Sequence, residues 1–129
     1  MAQQWQDWWN QARHDLKHAE AARSDERHDW ACFAAHQSAE KAVKALHLAH
    51  GQEAWGHAIV SLLADLPMPV PDAQVEAGIT LDGFYIPARY PNGHEEGAPF
   101  EHYGPIHSEL GIRLAGHIHD FVRQALAEL

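Results

Sequence analysis

One stretch in the first half of the chain constrains the fold more than any other. Between Glu26 and His50, small and apolar residues recur at steps of three and four, which is the spacing of one helical face. This face comprises Cys32, Ala35, His36, Ala39, Ala42, Val43, Leu46 and Ala49. Ser24 and Asp25 can cap the start of such a helix, and Gly51 can end it. Because alanine lets neighbouring helices approach closely, we expect this helix at the centre of a bundle.

Apolar stripes predict helices before and after this central one. The first helix is expected over residues 4–23, and a shorter third helix over about residues 57–66, where a proline-rich linker ends it. The stripe of the first helix consists of Trp5, Trp9 (or Trp8), Ala12, Leu16 and Ala19. Trp8 and Trp9 cannot both lie on the helix face that packs against the core, because adjacent residues are 100° apart around a helix. One of them is therefore expected to be exposed or to anchor a partner, which suggests a dimer contact near this end.

The second half of the chain predicts two more helices, separated by an irregular loop. The fourth helix is expected over about residues 71–86 and the last over residues 106–127, with prolines and glycines between them. The connections are short, which favours antiparallel neighbours. We therefore predict a single domain over residues 1–129, all-α, forming an antiparallel up-and-down bundle of four to five helices.

Composition excludes several classes of protein. The net charge is −9, with three lysines and six arginines, so general nucleic-acid binding through a basic surface is disfavoured. A single cysteine, Cys32, excludes an internal disulfide framework and a Cys-rich zinc site. The sequence has neither a signal-peptide pattern at its start nor an apolar run long enough to span a bilayer. We therefore expect a cytoplasmic protein without membrane segments.

Several segments together resemble a known family. The segment His-Gln-Ser-Ala-Glu-Lys-Ala-Val-Lys-Ala-Leu, from His36 to Leu46, is similar to the signature helix of HEPN (higher eukaryotes and prokaryotes nucleotide-binding) domains. The tryptophan-rich first helix, His57 at the start of the third helix, and the segment from Phe84 to Pro91 fit the same family. The resemblance extends over nearly the whole chain.

The resemblance implies a function as well as a fold. It implies a four- or five-helix bundle, a homodimer, and a partnership with a minimal nucleotidyltransferase, sometimes as a toxin–antitoxin pair. It also implies a nucleotide or RNA ligand, for which the residues expected to bind are Lys41, Lys44, Arg89 and Tyr90. No cofactor is implied.

The resemblance also implies an alternative, a metal-independent ribonuclease toxin. Such family members use an arginine and a histidine separated by four to six residues, which fits Arg89 and His94 as catalytic residues. Arginine can hold a phosphate with two hydrogen bonds, and histidine can transfer a proton near neutral pH. Spacing alone does not select this pair, since four arginines match: Arg13 with His18, Arg23 with His28, Arg89 with His94, and Arg113 with His119. In a structural alternative, Arg89 ties its loop to acidic groups on the bundle, with Tyr90 packed beneath it.

The remaining histidines favour structural roles. His14 and His18 have the i, i+4 spacing of a metal pair, but they flank the expected core contact Leu16 and are interpreted as solvated. His47, with His50 and His57 nearby, forms a looser cluster. His36 lies on the buried face of the central helix, where we expect a hydrogen-bonded core or dimer-interface histidine. No metal site is predicted.

Overall fold

Helices account for most of the chain. The computed structural model describes residues 4–129. In this range α1 spans Trp5–Ser24, α2 His28–Ala49, α3 Ile59–Ala64, α4 Asp72–Asp82, α5 Pro99–His102 and α6 Pro105–Ala127, with a 3₁₀ turn at Pro91–Gly93. No strand occurs within these residues. The predicted all-α antiparallel bundle is confirmed.

Helix α2 is the central element, as its alanine-rich pattern predicts. It packs along α1 on one side and α6 on another, and it also contacts α3, α4 and α5. Fourteen of its 22 residues are buried, so α2 is covered on nearly every side. Its buried alanines, which permit this close packing, are Ala31, Ala34, Ala35, Ala39, Ala42 and Ala45. Cys32 is fully buried, and burial raises the pKa of its thiol to about 12.

A buried hydrogen-bond chain joins α1, α2 and α6. Ser38 of α2 donates its hydroxyl proton to the carbonyl of Ala12 on α1, at 2.6 Å. Because that proton is used, Ser38 must accept from Nε2–H of His119 on α6, at 2.7 Å. Burial, together with the positive charge of Arg123, lowers the pKa of His119 to about 4. The neutral imidazole is therefore the form that holds the three helices together.

Some helix boundaries differ from the prediction. The fourth helix was expected to reach residue 86, but α4 ends at Asp82 because Gly83 caps it and turns follow. The third helix is shorter than predicted and begins two residues after His57. The one-turn helix α5, which begins at Pro99, was not predicted. Nowhere between residues 4 and 129 is a helix both long and apolar enough to cross a membrane.

Candidate functional site

A cleft of about 750 Å³ opens where the start of α1 meets the end of α2. The connection from α2 to α3 forms its second wall. The residues that line the cleft are Trp8, Lys44, Leu48, Gly51, Gln52, Glu53, Ala54, Trp55, Gly56 and His57. Two indole rings, one ammonium group and one imidazole therefore meet in a single concave site.

The wall formed by residues 51–57 has a fixed base and an exposed tip. At its base, the N–H of Gln52 donates to the carbonyl of His47 at 2.9 Å, and Gln52 Oε1 lies 3.0 Å from Nδ1 of His47. Gly51 and Gly56 have φ values of +72° and +89°, which favour glycine. Between them, Trp55 is 80% exposed. The backbone thus presents a large aromatic ring to the cleft and to solvent.

A buried carboxylate organises the polar floor of the cleft. Glu40 on α2 is 3% exposed, and its two oxygens have different partners. Oε2 lies 3.2 Å from Nζ of Lys44, and Oε1 lies 3.0 Å from Nδ1 of His57. A carboxylate can only accept, so His57 donates from Nδ1. No hydrogen bond within residues 4–129 engages Nε2 of His57, whose side chain is 57% exposed.

Aromatic packing connects this floor to a second cluster. The ring of His57 stacks on Tyr85, with centroids 5.1 Å apart and planes 18° apart. Cζ of Arg89 also lies over the Tyr85 ring, 4.6 Å from its centroid. The same guanidinium carbon lies 4.2 Å from Phe33 and 5.0 Å from Tyr90, and Arg89 Nε donates to the Tyr85 carbonyl at 2.8 Å. Arg89 is thus held by three rings, which we call the arginine cage.

Asp82, the last residue of α4, positions both clusters. It accepts hydrogen bonds from the N–H groups of Ile59 and Val60 at the start of α3, at 2.8 Å and 3.1 Å. It also lies 3.1 Å from Nε2 of His36, which is fully buried and packs on Tyr85. Burial opposes ionisation of this carboxyl, but the hydrogen bonds from His36, Ile59 and Val60 together hold its pKa below the usual value. Asp82 is therefore an ionised anchor for the segment that carries His57.

The residues predicted to bind a nucleotide are partly brought together. Lys44 lines the cleft and, through Glu40, His57 and Tyr85, is connected by contacts to Arg89. Tyr90 belongs to the arginine cage and is 49% exposed. Lys41 lies apart from this chain of contacts, because its ammonium pairs with Asp15 on α1.

The predicted catalytic pair is not joined by a direct contact. His94 donates from Nε2 to the Pro87 carbonyl at 2.6 Å and stacks on His102, with centroids 4.1 Å apart. Arg89 contacts the arginine cage instead, and neither a hydrogen bond nor a ring contact connects it to His94 in the described part of the chain. Tyr90 packs on Arg89 as the structural alternative predicts, but the bonded partner is a backbone carbonyl rather than an acidic group. Catalysis by the pair stays a prediction.

The other predicted residues fall into two groups. His36 and His47 are buried and hydrogen-bonded, whereas His14 and His18 are exposed. Across residues 4–129, no group of three histidine, cysteine or acidic side chains has a geometry that could hold a metal ion.

Trp8 and Trp9 point in different directions, as their adjacent positions on α1 require. Trp9 packs against the core and lies 5.2 Å from the ring of His119. Trp8 faces the cleft instead, where Nζ of Lys44 lies 5.7 Å from its ring centroid.

Sequence reasoning missed four residues of the site: Glu40, Trp55, Asp82 and Tyr85. A large aromatic residue between two isolated glycines was the available signal for Trp55. The Glu40–Lys44 pair at i, i+4 was the available local signal for Glu40, but its contact with His57 lies 17 positions away, and every partner of the Asp82 side chain lies at least 22 positions away.

Comparison with known proteins identifies similar chains. A model of the HEPN domain family matches residues 5–125. The fold is similar to the crystal structure of TT1696 from Thermus thermophilus, at 49% identity and a TM-score of 0.92, covering 94% of this chain and 97% of that one. An archaeal HEPN homologue is similar at 36% identity and a TM-score of 0.85, covering 97% and 99%. A HEPN domain protein from Thermotoga maritima is similar at 28% identity and a TM-score of 0.78, covering 95% of this chain and 99% of that one. No curated protein matches the chain.

Proposed function

Since this chain belongs to the HEPN domain family, we propose that it is a nucleotide-binding regulatory module that acts as a homodimer beside a minimal nucleotidyltransferase, as half of a toxin–antitoxin pair. The observation that carries the proposal is the cleft between Trp8 and Trp55. Its volume of about 750 Å³ lies within the range of about 300–1,000 Å³ usual for small-molecule sites.

The side chains of the cleft suit the two parts of a nucleotide. A base has an apolar face that stacks on aromatic rings, and Trp8 and Trp55 supply two such rings. A phosphate needs cationic or N–H donors. Lys44 supplies an ammonium group, and Nε2 of His57 becomes a donor when the ring carries two protons. The chain's charge of −9 disfavours long nucleic acids, because these bind through many backbone phosphates, but it does not oppose one small ligand in one cleft.

Replacing Trp55 with alanine is expected to weaken nucleotide binding by about 5- to 150-fold, because one stacked base contributes about 1–3 kcal/mol. Isothermal titration calorimetry with AMP and ATP measures the change. The matched control is Phe100→Ala, since Phe100 is also an exposed aromatic residue but lies on α5, outside the cleft. Equal affinity in wild type and Trp55→Ala would argue against binding in the cleft.

The ribonuclease alternative has its own signature. The same proteins are incubated with total RNA in EDTA, alongside His94→Ala and the exposed control His18→Ala. Cleavage that is lost only in His94→Ala would favour the enzyme over the module. Equal cleavage in all samples would mean a contaminating nuclease.

The homodimer proposal rests on a second, exposed surface. The ring of Phe33 contacts Trp30 (48% exposed), and Arg89 contacts both Phe33 and Tyr90 (49%). Ile86 (44%) follows Tyr85, whose ring also lies against Phe33. Tryptophan, tyrosine and arginine are the residues that dominate binding energy at protein interfaces. We define Trp30, Phe33, Ile86 and Tyr90 as the aromatic surface and propose that a second copy covers it.

Trp30→Ala is expected to weaken the dimer by at least about 30-fold, because an interface tryptophan commonly contributes about 2 kcal/mol or more. Light scattering at micromolar concentration should give twice the 14.5 kDa chain mass for wild type and a lower mass for the variant. Trp55→Ala, which lies off this surface, should keep the wild-type mass. A monomeric wild type would refute the proposal. Co-purification with the product of a neighbouring nucleotidyltransferase reading frame tests the partner.

A further inference from the structure

His57 differs from the other polar groups of the cleft in having one nitrogen fixed and one nitrogen free. Its Nδ1 is held by the buried carboxylate of Glu40 at 3.0 Å, while Nε2 has no hydrogen-bond partner in the described chain. Because Nδ1–H donates to a carboxylate, the neutral ring presents an acceptor at Nε2, so Nε2 can donate to a ligand only after it has gained a proton. The structure therefore provides a site at which a proton can be gained on the ligand side.

The surrounding charges decide when that proton is gained. The negative charge of Glu40 is shared between Lys44 on α2 and His57, so the three groups sum to zero when His57 is neutral. A second carboxylate, Glu53, also lines the cleft and would repel an anion. Arg89 is held in the arginine cage, 4.6 Å from the centroid of the Tyr85 ring that stacks on the imidazole, and it does not line the cleft. An incoming phosphate therefore lacks a surplus positive charge unless His57 takes up a proton.

We propose that the cleft binds a phosphate-bearing nucleotide together with one proton on His57, the base lying against Trp8 and Trp55 and the phosphate between Lys44 and Nε2 of His57. This inference rests on the proposed function and adds the identity of the side chain that recognises the phosphate. Protonation and binding are then reciprocally linked: the phosphate favours the imidazolium, and the imidazolium favours the phosphate. No bond is made or broken.

The linkage predicts a specific pH dependence. Histidine is the side chain whose charge ordinarily changes between about pH 5 and pH 8. Affinity for a phosphate ligand should be highest at acid pH and fall as pH rises, with a limiting slope of about tenfold per pH unit for one proton. An uncharged nucleoside should show no such slope, because it gains nothing from the proton.

The test uses 3′,5′-cyclic AMP, because a phosphodiester keeps one negative charge throughout, whereas the second ionisation of a phosphomonoester falls near pH 6. Calorimetric titrations at about pH 5.5, 6.5, 7.5 and 8.5 compare wild type with His57→Gln, using adenosine as the uncharged ligand. Glutamine keeps an N–H donor for Glu40 but cannot become cationic. Because His57 is exposed and lies outside the helices, the variant should fold, and thermal unfolding checks this.

The outcomes separate the inference from the function on which it rests. We expect wild-type affinity for cyclic AMP to fall at least about tenfold across this pH range, with adenosine affinity changing less than about twofold. His57→Gln should bind cyclic AMP weakly and equally at every pH. A flat wild-type profile, or a slope that survives in His57→Gln, overturns the proton linkage while leaving nucleotide binding in place. Absence of binding by both ligands overturns the proposed function, and the inference with it.

Discussion

Replacing Asp82 with alanine is expected to lower the free energy of unfolding by about 3 kcal/mol, because each buried donor left without its acceptor costs about 1–3 kcal/mol. The variant would leave the N–H groups of Ile59 and Val60, and Nε2 of the fully buried His36, without their acceptor. It would also remove the hydrogen bonds that tie the start of α3 to the end of α4. Urea denaturation followed by circular dichroism at two protein concentrations gives the value and separates it from any loss of dimer.

The matched control for this change is another aspartate that accepts hydrogen bonds. Asp120 pairs with Arg123 at 2.7 Å, but both side chains are exposed, so Asp120→Ala should cost well under about 1 kcal/mol. Because its hydrogen bonds hold the pKa of Asp82 below the ordinary value, the contribution of this carboxylate is complete above that ordinary value and declines as pH falls through the lowered one. Asp82→Asn should therefore lose less stability under strongly acidic conditions than wild type does. A cost for Asp82→Ala as small as that for Asp120→Ala would contradict the anchoring role.

Acidification from pH 7 to pH 4 is expected to remove roughly 3 kcal/mol of stability through His119 alone, since each pKa unit of difference between the folded and unfolded chain corresponds to about 1.4 kcal/mol. Burial and the charge of Arg123 lower the pKa of His119 to about 4, against an ordinary value of 6.5. As pH falls, His119 is therefore protonated at a higher pH in the unfolded chain than in the folded chain, and this difference favours unfolding. The contribution is complete above about pH 6.5 and is lost progressively as pH falls through about 4. Chemical denaturation at successive pH values measures this slope.

His119→Gln separates the pH dependence of stability that is due to His119 from the contributions of the other eleven histidines. The glutamine amide can still donate to the Ser38 hydroxyl, but it cannot ionise. The variant should be less stable than wild type at pH 7, because its shape fits the site less well, yet its stability should decline less as pH falls from about 6.5 to about 4. Parallel pH profiles for the two proteins would show that His119 is already charged, or already solvated, in the folded state.

Local pattern was sufficient for the helices and for their burial. The i, i+3, i+4 spacing of small residues on α2 depends only on helical geometry, so it predicted the span and its central position. The end of α4 was placed too late because Tyr85 and Ile86 continue the apolar spacing, whereas Gly83 caps the helix in the structure. The capping residue and the apolar periodicity place the end of the helix at different residues, and the sequence alone did not indicate which of the two determines it.

The candidate site was less accessible to sequence reasoning because its contacts are long-range. The spacing from Arg89 to His94 says nothing about the Pro87 carbonyl or the ring of His102, and these are the groups that hold His94. Likewise, His57 becomes a specific donor only because Glu40, 17 positions earlier, is buried beneath it. Lys44 was identified from the family resemblance. It lines a cleft only because the segment after Gly51 folds back to form the opposite wall.

The construction of the cleft has a consequence for engineering its selectivity. One wall belongs to the helical core, where substitutions disturb tight packing, but the other is a short connection whose tip lies in solvent between Gly51 and Gly56. Gln52 fixes the base of that connection through His47 and Ala54 packs against the core, so the exposed positions 53 and 55 can be exchanged without touching the buried contacts. A library confined to these two positions should change the ligand preference of the proposed nucleotide site while the thermal stability of the bundle stays nearly constant. The fold thereby separates the part of the molecule that can be varied from the part that must be kept.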